Sequence, residues 1–188
     1  YSEPLSPGIA SVCLAELQTG GRGRRGRHWV SPPGSGVWCS VSWTWDAPPS
    51  DLSALSLAAG AHVLRALQKR GCQGLQLKWP NDLLANGRKI GGILIDVHGD
   101  LAGPMSVVVG LGLNLIVSEA TRNQVKADGG QPPIGLYELG FTESRNLVAA
   151  DLVSALVDLL RNYADTGFSR DKSFWCAHDF LRNKPVVV

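Results

Sequence analysis

The chain has 188 residues, enough for one sizeable domain with at most a fragment of a second. A hydrophobic share of 44% and a charged share of 18% exclude a disordered chain, and a net charge of only +2 argues against a general nucleic-acid binder. No apolar run is long enough to cross a bilayer: the longest, over 107–117, is broken by Gly110, Gly112 and Asn114.

Residues 11–17 alternate as a strand, with Val12, Leu14 and Glu16 on one face and Cys13, Ala15 and Leu17 on the other. Gln18 ends it. There follows Gly20-Gly21-Arg22-Gly23-Arg24-Arg25-Gly26-Arg27-His28-Trp29, in which glycines alternate with arginines. Glycine lets a backbone approach a ligand closely, and the arginine fork fits phosphate or carboxylate, so the run describes a loop around an anion. Arg-Gly runs also occur in disordered RNA-binding tails, and these ten residues alone leave both readings open. After a turn at 31–36, residues 37–45 read as a strand with Val37, Cys39, Val41 and Trp43 on one face and Trp38, Ser40 and Ser42 on the other. Ser50 or Asp51 is expected to cap a helix that runs to about Arg70 and stops at Gly71.

Residues 75–79 form a short strand in which Leu75, Leu77 and Trp79 face the core and Gln76 and Lys78 face away. Strands 83–85 and 89–97 flank Asn86-Gly87, a tight hairpin signal, and Gly91-Gly92 suggests either a bulge or close approach to a ligand. A buried central strand is expected over 106–117. Residues 118–140, polar and rich in Gly and Pro, are expected to be mobile. A second amphipathic helix is capped by Ser144 and ends near Gly167, a shorter one covers 172–181, and 185–188 looks like the first strand of something further. This order predicts an α+β fold, a two-layer mixed β-sheet with helices on one face.

The four cysteines have no zinc-ligand spacing, and Cys13 and Cys39 are expected to be buried reduced thiols of a cytoplasmic protein. The four histidines are scattered, His62 reading as a packed or surface imidazole, and there is no HExxH or nucleophile elbow. Lys78-Trp79-Pro80-Asn81-Asp82 puts an ammonium at a strand end beside a turn, where it is either a solvated lysine or a phosphate-neutralising group. Asp82 alone is thin support for a metal, and no metal site is assigned. Asn114, inside an apolar strand, must find hydrogen-bond partners or cost about 1–3 kcal/mol.

The ordered set GRGRRGRHW, KWPND, RKIGGILID and GLGLN resembles the catalytic domain of biotin–protein ligases, including the bifunctional ligase–repressors. The likeness by motif spans about 14–114. It implies a class II aminoacyl-tRNA synthetase/biotin synthetase-like fold and a two-step reaction. Biotin and ATP give biotinyl-5′-AMP and pyrophosphate, and a lysine of the biotin carboxyl carrier protein of acetyl-CoA carboxylase then displaces AMP. Neither step needs a protein nucleophile, only positioning, charge neutralisation and exclusion of water.

By the same resemblance Gln18, Arg22, Gly23, Arg24, Lys78, Gly91 and Gly92 would meet biotin. Arg22, Arg24, Arg25, Arg27, Trp29, Asn81, Lys89 and Asn114 would meet ATP or the adenylate, with Arg25 alternatively serving a dimer contact. Lys78 is the expected main electrostatic catalyst, with Arg24 beside it. Mg2+ is implied without identified ligands, a homodimer is left open, and DNA binding would require a helix-turn-helix domain that these residues do not contain. The domain is expected to cover 1–182 without its N-terminal part, including a Ser-Thr-Asn segment, and 183–188 to begin a small SH3-like β-barrel. The open alternatives are a lipoate or octanoate ligase of the same fold and a non-enzymatic Arg-Gly RNA-binding module.

Overall fold

A computed structural model of the chain describes residues 6–99 and 103–185. Strands β1 (Ser11–Ala15), β2 (Gly36–Trp45), β3 (Leu75–Lys78), β4 (Asp82–Ala85), β5 (Arg88–Gly99) and β6 (Met105–Asn114) form one sheet in the order β1-β2-β6-β5-β4-β3. The helices are α1 (Leu55–Lys69), α2 (Glu119–Ala127), α3 (Arg145–Thr166) and α4 (Ser169–Ala177). Among the described residues every ladder is antiparallel, and parallel pairing enters only through the isolated bridges Leu77↔Asp179 and Lys89↔Pro133.

The period-2 alternation sorts the central strands into two faces. Val37, Cys39, Val41, Trp43 and Trp45 of β2 and Val107, Val109, Leu111 and Leu113 of β6 are buried in one core with α1 and α3. Each fully buried leucine there contributes about 1.5–3 kcal/mol. Gly60 lets α1 sit close to the sheet, since a Cβ at that position would lie 3.2 Å from Leu77 Cδ2. Polar tips are satisfied across the layers: Trp45 Nε1 donates to the Leu160 carbonyl at 3.0 Å, and the Tyr163 hydroxyl donates to the Asp51 carbonyl at 2.6 Å. The other face of β2, β6 and β5 carries Ser40, Ser42, Gly110, Gly112, Gly92 and Leu94, and no helix of the α1/α3 layer covers it.

The hairpin between β4 and β5 turns on Asn86 and Gly87, both at positive φ (51° and 71°), as the Asn-Gly pair requires. The register shifts between Leu83 and Leu84, where Ile90 is the extra residue on β5 beside Gly91-Gly92.

Several expectations are corrected. Strand β1 stops at Ala15, and Cys13 is exposed rather than buried, because β1 is an edge strand with little packed against it. Trp79 is 62% exposed and does not continue the core face of β3. The helix at 52–70 begins with a 3-10 turn (Leu52–Ala54) and becomes α-helical only at Leu55, without a side-chain cap. Strand β6 ends at Asn114, after which the Leu115 and Ile116 amides donate to the Ser35 carbonyl at 3.0 and 2.9 Å.

Residues 118–140, expected as a loop, carry α2 and a 3-10 turn at Leu136–Leu139. Ser118 caps α2 by accepting from the Thr121 amide at 3.1 Å, and Ile134 and Leu136 are fully buried. The last helix lies earlier than expected, at Ser169–Ala177, because the chain then pairs with the β3 edge: the Leu77 amide donates to the His178 carbonyl (2.9 Å) and the Phe180 amide to the Leu77 carbonyl (2.7 Å). The strand expected at 185–188 falls almost wholly outside the described residues.

Candidate active site

The open face of the sheet forms the floor of a trough of about 1430 Å³. The floor is low where Gly92, Gly112 and Gly110 lie next to one another on β5 and β6. Trp29 lies on Gly112: a Cβ there would fall 2.6–2.8 Å from the indole. The indole meets Trp38 edge to face, with ring centroids 6.2 Å apart.

The glycine–arginine run is an ordered hairpin-like flap over this floor. Its base is closed by the Trp29 amide donating to the Gly21 carbonyl (2.9 Å), and its tip by the Gly23 amide donating to the Arg27 carbonyl (2.7 Å). The tip turns through Arg25 (φ 59°) and Gly26 (φ 72°). Gln18 folds over Gly21, where an added Cβ would lie 3.0 Å from its Oε1. Arg22, Arg24, Arg25 and Arg27 are exposed and line the trough. None of them pairs with a carboxylate among the described residues, whose ion pairs use Arg65, Arg70, Arg88, Arg122, Arg145, Arg161, His62 and Lys89. Four unpaired guanidinium groups above a polar floor make a focused positive field on a nearly neutral chain.

Two ammonium groups border the opposite wall. Lys89 Nζ pairs with Asp82 Oδ1 at 2.6 Å and stands 5.4 Å from the Trp29 ring centroid. Its terminal carbon and nitrogen also crowd the space over Gly92, at 3.3 and 3.4 Å from where a Cβ would be. Lys78 lies across the β3/β4 ladder from Asp82, and its Nζ donates to Gln131 Oε1 at 3.2 Å. Of the two, Lys89 is therefore nearer the glycine floor.

Asn81 lines the trough but spends its amide on the Ile93 carbonyl at 2.8 Å, holding the start of β4 to β5. Asn114 is buried and donates to the Lys89 carbonyl at 3.4 Å. Gly91 points away from the trough, since its added Cβ would meet Leu83, Leu113 and the Gly112 carbonyl on the core side. Sequence reasoning missed the far wall, built by Thr121 and Val125 of α2 and by Gly130, Gln131 and Pro133. No local periodicity marks it, because it is fixed by non-local bonds to Lys89.

On this face Trp29 Nε1, Trp38 Nε1 and Ser42 Oγ are buried without a hydrogen-bond partner. Unmet donors in a floor are costly unless something else engages them, about 1–3 kcal/mol each.

Residues 7–114 match the model of the biotin/lipoate A/B protein ligase family. The chain belongs to this family. It is 35% identical over 177 residues to the bifunctional ligase/repressor BirA of Escherichia coli (strain K12), covering 94% of this chain and 54% of that protein. It is 29% identical over 198 residues to the biotin--[acetyl-CoA-carboxylase] ligase of Paracoccus denitrificans, covering 98% of this chain and 78% of that one. The structure superposes on the biotin protein ligase from Aquifex aeolicus in complex with biotin and ATP with a TM-score of 0.74 and 26% identity, covering 96% of this chain and 72% of that chain. The chain thus spans about half the length of the ligase/repressor relatives it matches. Family membership confirms the α+β ligase-like fold. The glycine floor, the arginine flap and the two lysines of this family member all border one trough.

Proposed function

We propose that this chain is the catalytic domain of a biotin–protein ligase, forming biotinyl-5′-AMP from biotin and ATP and passing the biotinyl group to a lysine of a biotin carboxyl carrier protein. The observation that carries the reading is the pairing of a glycine floor with six cationic side chains, Arg22, Arg24, Arg25, Arg27, Lys78 and Lys89, around one trough. The family model covers 7–114, which includes all six.

In the first step a biotin carboxylate oxygen attacks the α-phosphorus of ATP, and the bond from that phosphorus to the bridging oxygen of pyrophosphate breaks. Negative charge builds on the phosphoryl oxygens and the leaving group, where preorganised cations act best. Lys89, over Gly92 and next to Trp29, is placed to neutralise the carboxylate and α-phosphate, with Asp82 fixing its rotamer; Lys78 stands on the pyrophosphate side. In the second step the acceptor amine attacks the acyl carbon, AMP leaves with the bonding pair, and the amine loses a proton. Gln18, Arg22, Gly23 and Arg24 border the biotin end. Arg25, Arg27, Trp29, Asn81 and Asn114 border the nucleotide end, with the α2 wall opposite. The closed flap keeps water from the mixed anhydride.

Among the described residues no group of three or more His, Cys, Asp or Glu could hold a metal ion. Asp82 is already paired with Lys89, a donor set that fits a Mg2+ ion carried on the triphosphate rather than an all-protein cage. Such an ion would share in neutralising phosphate charge. No helix of the described residues is long and apolar enough to cross a membrane, which is compatible with action in the cytoplasm on a soluble carrier.

The test is biotin-dependent ATP–pyrophosphate exchange in the full chain, with lipoate and octanoate as competitors. Biotin should drive exchange and the other two acids should not. Lys89→Met and Lys78→Ala should each lower the rate at least about a hundredfold, the scale of losing a preorganised charge in a closed site. Exchange driven by lipoate instead would move the assignment within the family, and near-normal exchange in both variants would remove the lysines from the mechanism.

A further inference from the structure

We propose that Gln131 is a positioning residue for Lys78, an assignment that rests on the ligase reading above. The Gln131 side chain joins two elements. Its Oε1 accepts from Lys78 Nζ at 3.2 Å, and its Nε2 donates to the Gly87 carbonyl at 3.2 Å. Both ends of the carboxamide are used, and only its oxygen can meet an ammonium, so the orientation is determined.

The backbone around Gln131 is pinned on both sides. The Gly130 amide donates to the Val125 carbonyl at 2.8 Å. Beyond it, the Lys89 amide donates to the Pro132 carbonyl (2.8 Å), Arg122 donates to the Pro133 carbonyl (2.8 Å) and the Ile134 amide donates to the Lys89 carbonyl (3.0 Å). The residue is thus a fixed post at the wall of the trough.

The two lysines are held in different ways. Lys89 has a carboxylate partner, which offsets much of its charge. Lys78 has no carboxylate within ion-pair distance among the described residues, although Asp82 lies directly across the ladder from it. Directly opposed strand residues have Cβ atoms about 5 Å apart, within reach of a lysine. A neutral amide oxygen holds the ammonium away from Asp82 without cancelling it. Lys78 therefore keeps a full positive charge for a phosphate group, and Asp82 stays with Lys89. Because Gln131 belongs to the same wall as Thr121 and Val125, the position of Lys78 is tied to the nucleotide end of the trough.

Two substitutions separate orientation from bulk. Gln131→Glu places a carboxylate at the same reach and should cancel the Lys78 charge. Gln131→Ala removes the post and frees Lys78 to turn toward Asp82. In the full chain, Gln131→Glu should raise the KM for ATP in biotin-dependent pyrophosphate exchange about tenfold, the scale of a hydrogen bond to a charged group. Neither substitution should add to the defect of Lys78→Met. Independently of substrates, acylation of Lys78 by acetic anhydride, read by peptide mass spectrometry against Lys89, should change at least about threefold in both variants.

Unchanged Lys78 acylation in both variants would overturn the assignment, as would a Gln131→Glu effect of equal size with and without Lys78. Altered Lys78 acylation in the two variants, together with a wild-type chain that shows no biotin-dependent exchange, would fell the ligase reading and leave the positioning role standing. Normal exchange with unaltered acylation would do the reverse.

Discussion

Gly91 and Gly112 are both glycines of central strands, yet the space around them differs. The atoms nearest to a Cβ on Gly112 all belong to the Trp29 indole, a side chain at the base of the flap. A Cβ on Gly91 would fall 2.7 Å from the Gly112 carbonyl, which belongs to the middle of the sheet and cannot move. Gly112→Ala should therefore leave urea stability within about 1 kcal/mol of wild type, because alanine suits a strand better than glycine. It should weaken nucleotide binding, since Trp29 loses its seat. Gly91→Ala should cost about 1–3 kcal/mol of stability by overpacking. Equal stability losses in the two variants would show that the indole is as immovable as the sheet. The contrast also refines the sequence reading: Gly91-Gly92 suggested either a bulge or a ligand approach, and the resemblance gave both glycines to biotin, but the register shifts next to them and alternation sends Gly91 to the core and Gly92 to the trough.

Helix α4 is held to α1 by a carboxylate that is only 2% exposed. Asp171 accepts from Arg65 and lies 3.4 Å from His62 Nε2, and Arg65 also covers the Phe174 ring at 4.1 Å. Burial alone would raise the Asp171 carboxyl, but the hydrogen bonds from His62 and Arg65 outweigh it and hold the group below its usual range. A carboxyl depressed on folding adds stability that is fully present above its unfolded value of about 3.9 and is lost as pH falls through the folded value. Asp171→Asn should thus cost about 2 kcal/mol at pH 7, below the usual figure for a broken buried pair because Arg65 is a third exposed and can rehydrate. The gap between variant and wild type should begin to narrow below about pH 4 in urea titrations and shrink further as the pH falls through the folded value; a constant gap would mean that packing, not charge, holds α4. None of this network was legible beforehand, because the partners stand on two helices about a hundred residues apart. The central strands, α1 and α3 were legible from their periodicity. The wall at 128–135 was not, because its Gly and Pro content reads as a loop whether or not distant backbone groups pin it.

At the scale of the whole molecule, the stabilising core and the chemistry occupy opposite faces of one sheet. Helices α1 and α3 bury the Val, Leu and Trp face, and the Ser and Gly face is left to the flap and the wall. The flap adds little core: Arg22, Arg24, Arg25 and Arg27 are exposed, and the hairpin is held by a few backbone bonds. Its opening should therefore cost far less free energy than global unfolding, so that it exchanges between open and closed forms in the native protein. On the proposed ligase function the adenylate would supply the missing counter-charge, and a ligand that binds only the closed form depletes the open one by mass action. Trypsin reads this directly, since it cuts after arginine and needs an open chain. In the substrate-free protein the earliest cuts should fall after Arg22, Arg24, Arg25 or Arg27. Saturating biotin with ATP should slow those cuts about tenfold or more, because ligand at a hundred times its Kd lowers the open population by about two decades. Cuts at sites outside the trough that open by local fraying, without releasing the ligand, should be unaffected, which separates flap closure from a general rise in stability. Equal cleavage of the flap with and without both compounds would mean that the arginines do not close over the product, and the flap would then be only a static rim.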